Sequence, residues 1–124
     1  MNHQKRDRLL LAHILDSISA IKRYTHGVDK THFLRDDKTQ SAVIRQLEVI
    51  GEATSHLSTQ LKTQHSRVDW VAISGMRNKL IHEYFGVDLD LVWQVVKKDI
   101  TILEKEVTNI LRQETQVEKT DLLL

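Results

Sequence analysis

Four side chains that could take part in a reaction occur close together in the string Arg77-Asn78-x-x-x-His82-x-Tyr84. They are a guanidinium, an amide, an imidazole and a phenol. A guanidinium binds two phosphate oxygens at once, and an imidazole exchanges protons near neutral pH. The ribose 2′-hydroxyl is a nucleophile that RNA itself supplies. A protein therefore needs only a proton carrier and a positive charge at the phosphate to cleave RNA without a metal ion.

The spacing of these residues on a helix limits what one copy of the string can do. At about 100° per residue, Asn78 and His82 share a face, whereas Arg77 and Tyr84 share another, about 140° from His82. A straight helix would not direct Arg77 and His82 at one phosphate. A helix break near Gly75, a long reach by Arg77 or a second protomer would remove the difficulty, and we favour the second protomer.

The spacing from arginine to histidine is not distinctive by itself. Arg6 and Arg8 also precede a histidine, His13, but no Asn or Tyr flanks them, and we interpret these matches as accidents. The chain has only 2 Tyr, so the fuller string is improbable as coincidence.

Composition places this string in a single small domain. The chain has 124 residues, a net charge of +1 and 28% charged residues, which argues against a broad basic surface that coats nucleic acid. It has no Cys, and we see no membrane-spanning run and no signal peptide, so we expect a soluble, cytoplasmic protein. We predict one helical domain over residues 1–113 and a frayed C-terminal tail over 114–124.

The pattern of apolar residues predicts an all-α fold. The chain has no Pro and 4 Gly, and apolar residues recur at helical spacing. An aspartate that could act as the N-cap precedes each later apolar run. These aspartates are at 36 or 37, at 69, and at 88 or 90. The helices are predicted from Gln4 to Thr25, from Lys38 to Gln64, from Trp70 to Gly86 with an interruption at Gly75, and from Asp88 or Asp90 to Gln113.

Two features of the second predicted helix need an explanation. Gly51 costs about 1 kcal/mol relative to Ala inside a helix, so we expect another helix to approach it closely, from the same chain or from a dimer partner. Glu48 and Glu52 could bind a divalent metal, but we interpret them as surface carboxylates and expect no metal.

The string is similar to the Arg-x4-His-x-Tyr motif of the HEPN superfamily, in particular of the HepT-like toxins of HEPN/MNT toxin–antitoxin pairs. The resemblance runs from about Asp36 to Leu111. Four segments carry it in the same order, with no departure at the motif positions: residues 36–40, 47–53, 75–85 and 88–93.

The resemblance implies an up-and-down bundle of four or five helices that forms a homodimer, with two motifs facing one cleft. It also implies metal-independent RNA cleavage without a cofactor. Arg77 would stabilise the phosphorane, His82 would act as general acid or base, and Asn78 would orient His82 or the RNA. Tyr84 would be the residue to which a partner nucleotidyltransferase attaches AMP, which silences the toxin.

Two other classes of function stay open at this point. The first is a non-catalytic helical module that binds a nucleotide or a nucleotidyltransferase. The second is a purely structural helical dimer. The sequence identifies neither the RNA target nor the position of cleavage.

Overall fold

The computed structural model describes residues 3–82 and 86–123, without the side chains of Arg77, Ile81, His82 and residues 115–123. The helices are α1 (His3–Thr25), α2 (Lys30–Phe33), α3 (Asp37–Ser55), α4 (Thr59–Gln64), α5 (Trp70–Ser74), α6 (Met76–Leu80), α7 (Leu89–Gln94) and α8 (Ile100–Leu123). Two short strands, β1 (Ile81–His82) and β2 (Gly86–Val87), follow α6, and a π-helical turn, Val95–Asp99, joins α7 to α8.

The three long helices α1, α3 and α8 make the body of the bundle. Helix α1 packs against both α3 and α8, and α3 also packs against α5 and α6. Apolar side chains at helical spacing form one core, which confirms the predicted all-α class. The core includes Leu11, Ile14, Ile18 and Ile21 of α1, Val43, Leu47 and Ile50 of α3, and Ile100, Leu103, Val107 and Ile110 of α8. None of the helices described is both long and apolar enough to cross a membrane.

Aspartate caps begin the helices where the sequence predicted them. The carboxylates of Asp36, Asp69 and Asp88 accept hydrogen bonds from backbone N–H groups at the start of α3, α5 and α7. These caps were predictable because a cap depends on a few neighbouring residues.

The predicted second helix is in fact two helices with a corner between them. Helix α3 ends at Ser55, and Ser58 caps α4 by accepting a hydrogen bond from the Leu61 N–H at 3.2 Å. Ser58 also donates to the buried Asp7 carboxylate of α1, from its backbone N at 2.9 Å and from its Oγ at 2.5 Å. The prediction of one continuous helix was wrong because this distant carboxylate binds the backbone at the corner.

The helix contact expected at Gly51 comes from within the same chain. A Cβ at this position would lie 3.2 Å from the Ile73 carbonyl oxygen and 3.4 Å from that of Ser74, at the C-terminal end of α5. The absent side chain therefore allows α5 to pack closely on α3. Gly51 consequently gives no support for a dimer partner.

The last two helical segments also differ from their predicted form. The π-helical turn interrupts the predicted helix at Val95–Asp99, and α8 continues past Gln113 to Leu123. Most of the segment that we predicted as a frayed tail, residues 114–124, is therefore helical in its backbone.

Candidate active site

The first and last residues of the short helix α6 anchor it in the core. Met76 and Leu80 are buried in the core, 7% and 1% exposed. Asn78 and Lys79, between them, are exposed. Because Met76 and Leu80 are four residues apart, they form one inward face, and α6 presents Asn78 on its outer side.

The backbone leaves the helix after Leu80, so His82 lies on strand β1. Ile81 pairs with Val87 and His82 pairs with Gly86 in an antiparallel ladder. The Asp88 N–H then donates to the Leu80 carbonyl at 3.0 Å, which ties the chain after β2 to the end of α6.

This turn of the chain corrects the predicted helix from Trp70 to Gly86. Gly86 has φ +78, a backbone conformation that suits glycine, and it lies on β2 and not at a helix end. A strand rises about 3.3 Å per residue where a helix rises about 1.5 Å. The predicted shared face of Asn78 and His82, and the 140° offset between Arg77 and His82, therefore do not apply.

The described residues place only part of the predicted site. Arg77 and Asn78 lie on α6 and His82 lies on β1, so the structure brings their backbones into one helix–strand unit. The side chains of Arg77 and His82, and all of Tyr84, lie outside the described residues. The catalytic roles of Arg77, Asn78 and His82 therefore stay predictions.

An aromatic contact and an ion pair join α2 to α7, the helix that follows β2. The Phe33 ring of α2 lies 5.0 Å from the Trp93 ring of α7, and the Lys30 Nζ lies 3.0 Å from a carboxylate oxygen of Asp90. Helix α7 follows β2 directly, so these contacts fix where the hairpin returns to the bundle. This pairing could not be predicted from the sequence, since α2 falls between the first two predicted helices.

Two capping carboxylates have pKa values below their ordinary value. Hydrogen bonds from the backbone and side chain of His32 lower the pKa of Asp29. Hydrogen bonds from the side chain and backbone of Thr39 lower the pKa of Asp36. Both carboxylates are exposed caps, so these shifts belong to helix starts and not to a catalytic group.

The acidic pair of α3, Glu48 and Glu52, shows no metal-ligand geometry in the described residues. Glu52 lies 2.9 Å from the imidazole of His56, Oε1 to Nε2. Among the side chains that the structure describes, no three His, Asp or Glu residues are placed to hold a metal ion.

A groove of about 520 Å³ borders α6, and no pattern in the sequence predicts it. We call it the α6 groove. One wall comes from residues 67–79 and the other from the π-helical turn and the start of α8. Its lining residues are Arg67, Val68, Asp69, Ala72, Ile73, Met76 and Lys79 on the first wall, and Val95, Asp99, Ile100, Ile102, Leu103 and Glu106 on the second.

Comparison with known proteins identifies the family of this chain. Residues 14–110 match the family described as "Ribonuclease HepT-like". The chain belongs to this HepT-like ribonuclease family.

Curated relatives extend over nearly the whole chain. A protein of Caldanaerobacter subterraneus subsp. tengcongensis named "Putative RNase TTE0752" is 41% identical over 89% of this chain and 98% of its own length. A protein of Thermococcus cleftensis named "Probable ribonuclease HepT" is 44% identical over 76% of this chain and 86% of its own. "Putative RNase MJ1380" of Methanocaldococcus jannaschii is 38% identical over 83% of this chain and 95% of its own. No solved structure gives a significant match.

Proposed function

We propose that this protein is a metal-independent ribonuclease whose catalytic residues are Arg77, Asn78 and His82. The observation that carries the proposal is the complete string Arg77-Asn78-x-x-x-His82-x-Tyr84 in a chain of the HepT-like ribonuclease family, with Arg77, Asn78 and His82 on one helix–strand unit. The exposed position of Asn78 on α6 supports it, because substrate must reach the site from solvent.

The reaction follows from the chemistry of the three side chains. One proton carrier removes the proton from the 2′-hydroxyl, and the 2′-oxygen attacks the adjacent phosphorus. The bond to the 5′-oxygen breaks, this oxygen takes up a proton, and the products are a 2′,3′-cyclic phosphate and a 5′-hydroxyl. His82 acts as general acid or base, Arg77 stabilises the charge on the phosphorane, and Asn78 orients His82 or the RNA.

Assembly and regulation are part of the same proposal. The active unit is a homodimer in which two copies of the motif face one cleft. The protein is the toxin of a toxin–antitoxin pair, and a partner nucleotidyltransferase silences it by attaching AMP to Tyr84. An adenylate on Tyr84, two residues beyond His82 in the sequence, would add bulk and negative charge to the motif and would compete with RNA phosphate.

An RNA cleavage assay in EDTA tests the catalytic part. Purified, unmodified protein should cleave RNA, leave a DNA strand of the same sequence intact and produce 2′,3′-cyclic phosphate ends. His82→Ala and Arg77→Ala should each abolish cleavage while circular dichroism shows an unchanged helix content.

Two results would contradict the proposal. Equal cleavage of DNA would remove the 2′-hydroxyl mechanism, and cleavage that survives in His82→Ala would remove His82 from the chemistry. Absence of cleavage by the unmodified protein, with retained binding of a nucleotide or a nucleotidyltransferase, would favour the non-catalytic module instead.

A further inference from the structure

The two walls of the α6 groove carry opposite charges. Arg67 and Lys79 lie on the first wall, and the carboxylates of Asp99 and Glu106 lie on the second. In the part of the chain that the structure describes, none of these four side chains forms an ion pair. Asp69 also lies on the first wall, but its carboxylate caps α5. The charges available to a ligand are therefore positive on one wall and negative on the other.

The lining between the charged side chains is apolar. It includes Ile73, Met76 and Leu103, and Ile102 on the second wall is 55% exposed. The volume of the groove, about 520 Å³, lies within the range of roughly 300–1,000 Å³ that small-molecule sites occupy. The groove therefore has room for a flat apolar group between two polar ends.

A nucleotide carries the three kinds of group that such a groove accommodates. Its phosphate is an anion that suits the cationic wall, and the face of its base is apolar and suits the lining. The edge of the base carries the hydrogen-bonding groups that meet the other wall. A carboxylate accepts hydrogen bonds at both oxygens and donates none. The second wall therefore selects a base whose edge donates.

Guanine is the RNA base that meets this requirement. Its Watson–Crick edge places the N1–H and N2–H donors side by side, so one carboxylate accepts from both. Adenine and cytosine have a ring nitrogen acceptor beside the amino group, and uracil has its N–H between two carbonyl oxygens. A carboxylate that faces these acceptors loses hydrogen bonds to water without replacing them all. Proteins read single-stranded RNA through such bonds to the edges of unstacked bases.

We infer that the α6 groove binds a guanosine of the RNA substrate. The carboxylate wall of Asp99 and Glu106 accepts hydrogen bonds from the guanine edge, and the cationic wall of Arg67 and Lys79 binds the phosphate. Lys79 follows Asn78 on α6, so this guanosine lies next to the candidate catalytic residues. The inference rests on the proposed function and adds a base preference, which determines where the RNA is cut.

Binding of single nucleotides to the full chain tests the groove without any cleavage. In isothermal titration calorimetry, GMP should bind about 10-fold more tightly than AMP, CMP or UMP, since a bidentate pair to a base gives discrimination of that order. Inosine 5′-monophosphate keeps the N1–H donor but lacks the 2-amino group. It should bind more weakly than GMP, because one of the two hydrogen bonds is lost.

Variants of each wall separate base recognition from phosphate binding. Asp99→Asn/Glu106→Gln keeps the size of both side chains and removes both charges, so GMP should lose its advantage over AMP. Arg67→Ala/Lys79→Ala should weaken GMP and AMP by a similar factor, because both nucleotides carry the same phosphate.

Matched controls change the same charges at exposed positions outside the groove lining. Asp16→Asn/Asp37→Asn removes two carboxylates, and Arg35→Ala/Lys105→Ala removes two cations. Both controls should bind the nucleotides as the unaltered protein does. Circular dichroism checks the fold of every variant.

The positions at which RNA is cut give a second measurement. In an RNA of mixed sequence, guanosine should be enriched at one fixed position relative to the cut. Asp99→Asn/Glu106→Gln should remove this enrichment, whereas Asp16→Asn/Asp37→Asn should keep it.

Three binding results would overturn the inference: no measurable binding of GMP, equal binding of the four nucleotides, or a preference for GMP that Asp99→Asn/Glu106→Gln retains. The proposed function fails separately. A protein that prefers GMP through this groove but cleaves no RNA would refute the proposed function alone. A protein that cleaves RNA with no preference for guanosine and binds no GMP would refute the guanosine site alone.

Discussion

The Asp7 carboxylate accepts two hydrogen bonds from Ser58, one to each of its oxygens, at 2.9 Å from the backbone N and 2.5 Å from Oγ. Asp7 is 3% exposed, so water does not replace these bonds when one partner is lost. The contact joins the first helix to the corner between α3 and α4, and Ser58 itself caps α4.

Removing the Asp7 carboxylate should destabilise the fold. Asp7→Ala leaves the Ser58 N–H without its acceptor, and we expect the free energy of unfolding to fall by about 2–3 kcal/mol. Urea denaturation measures the change. Asp16→Ala, at an exposed aspartate of the same helix, should change it by less than about 0.5 kcal/mol. A similar small change for Asp7→Ala would show that the buried contact contributes little.

Adding a side chain at Gly51 should push α5 away from α3. Gly51→Val places carbon atoms against the Ile73 and Ser74 carbonyl oxygens, and we expect a loss of about 1–3 kcal/mol in stability. Ser41→Val, at an exposed position of the same helix, measures the helix-propensity cost of valine by itself. RNA cleavage should fall as well, because α5 leads directly into α6. Equal stability of the two variants would contradict this account.

The cap at Asp36 should give the protein a sensitivity to acid. Bonds from Thr39 hold the folded pKa of Asp36 below its ordinary value of 3.8. The carboxylate therefore stabilises the fold above that value, and its contribution is lost as the pH falls towards the lower folded pKa. Asp36→Asn keeps an acceptor but does not titrate. The Tm advantage of the unaltered protein over Asp36→Asn should shrink below about pH 4, and an advantage constant from pH 7 to pH 3 would contradict the assignment.

Asn78 should matter for cleavage and not for stability. Its side chain is exposed on α6, so Asn78→Ala should change the free energy of unfolding by no more than about 0.5 kcal/mol. If Asn78 orients His82 or the RNA, kcat/KM should fall by about 10- to 100-fold. Asn109→Ala, at an exposed asparagine of α8, is the matched control and should retain full activity. Full activity in Asn78→Ala would remove Asn78 from the site.

Tyr84 should be the point at which a partner silences the protein. Co-expression with a cognate nucleotidyltransferase should add adenylate mass to the peptide that contains Tyr84, and the modified protein should lose RNA cleavage without unfolding. Tyr84→Phe should resist the modification and stay active in the presence of the partner. Tyr24→Phe, which removes the other phenol of the chain, is the control and should still be silenced. Adenylate found elsewhere on the chain would refute the assignment.

Features that depend on near neighbours in the chain were predictable from the sequence. The caps at Asp36, Asp69 and Asp88 each bind an N–H three residues along, and the apolar stripes of α1 and α8 follow the helical period. The corner at Ser58 depends on a carboxylate 51 positions away, so no local pattern shows it. The end of α6 was missed for a similar reason, since a two-stranded ladder with Gly86 and Val87 competes there with the helix.

The site was predictable as a set of residue types and not as a geometry. The string from Arg77 to Tyr84 is readable in the sequence because its members lie close together along the chain. The α6 groove was not, because its two walls come from segments that begin at residues 67 and 95 and meet only in the folded protein.

The packing of α1 against α8 has a consequence for a chain that is still being synthesised. Lys22 of α1 pairs with Glu104 of α8 at 2.7 Å, across 82 positions of sequence. A nascent chain that already contains the motif can bury α1 against α3, but its core stays open on the side that α8 will cover. Domains fold as units during synthesis, and one wall of the α6 groove comes from α8, so this groove forms only after α8 has emerged from the ribosome. If the protein cleaves RNA as proposed, this activity would then appear only when synthesis of the chain is nearly complete.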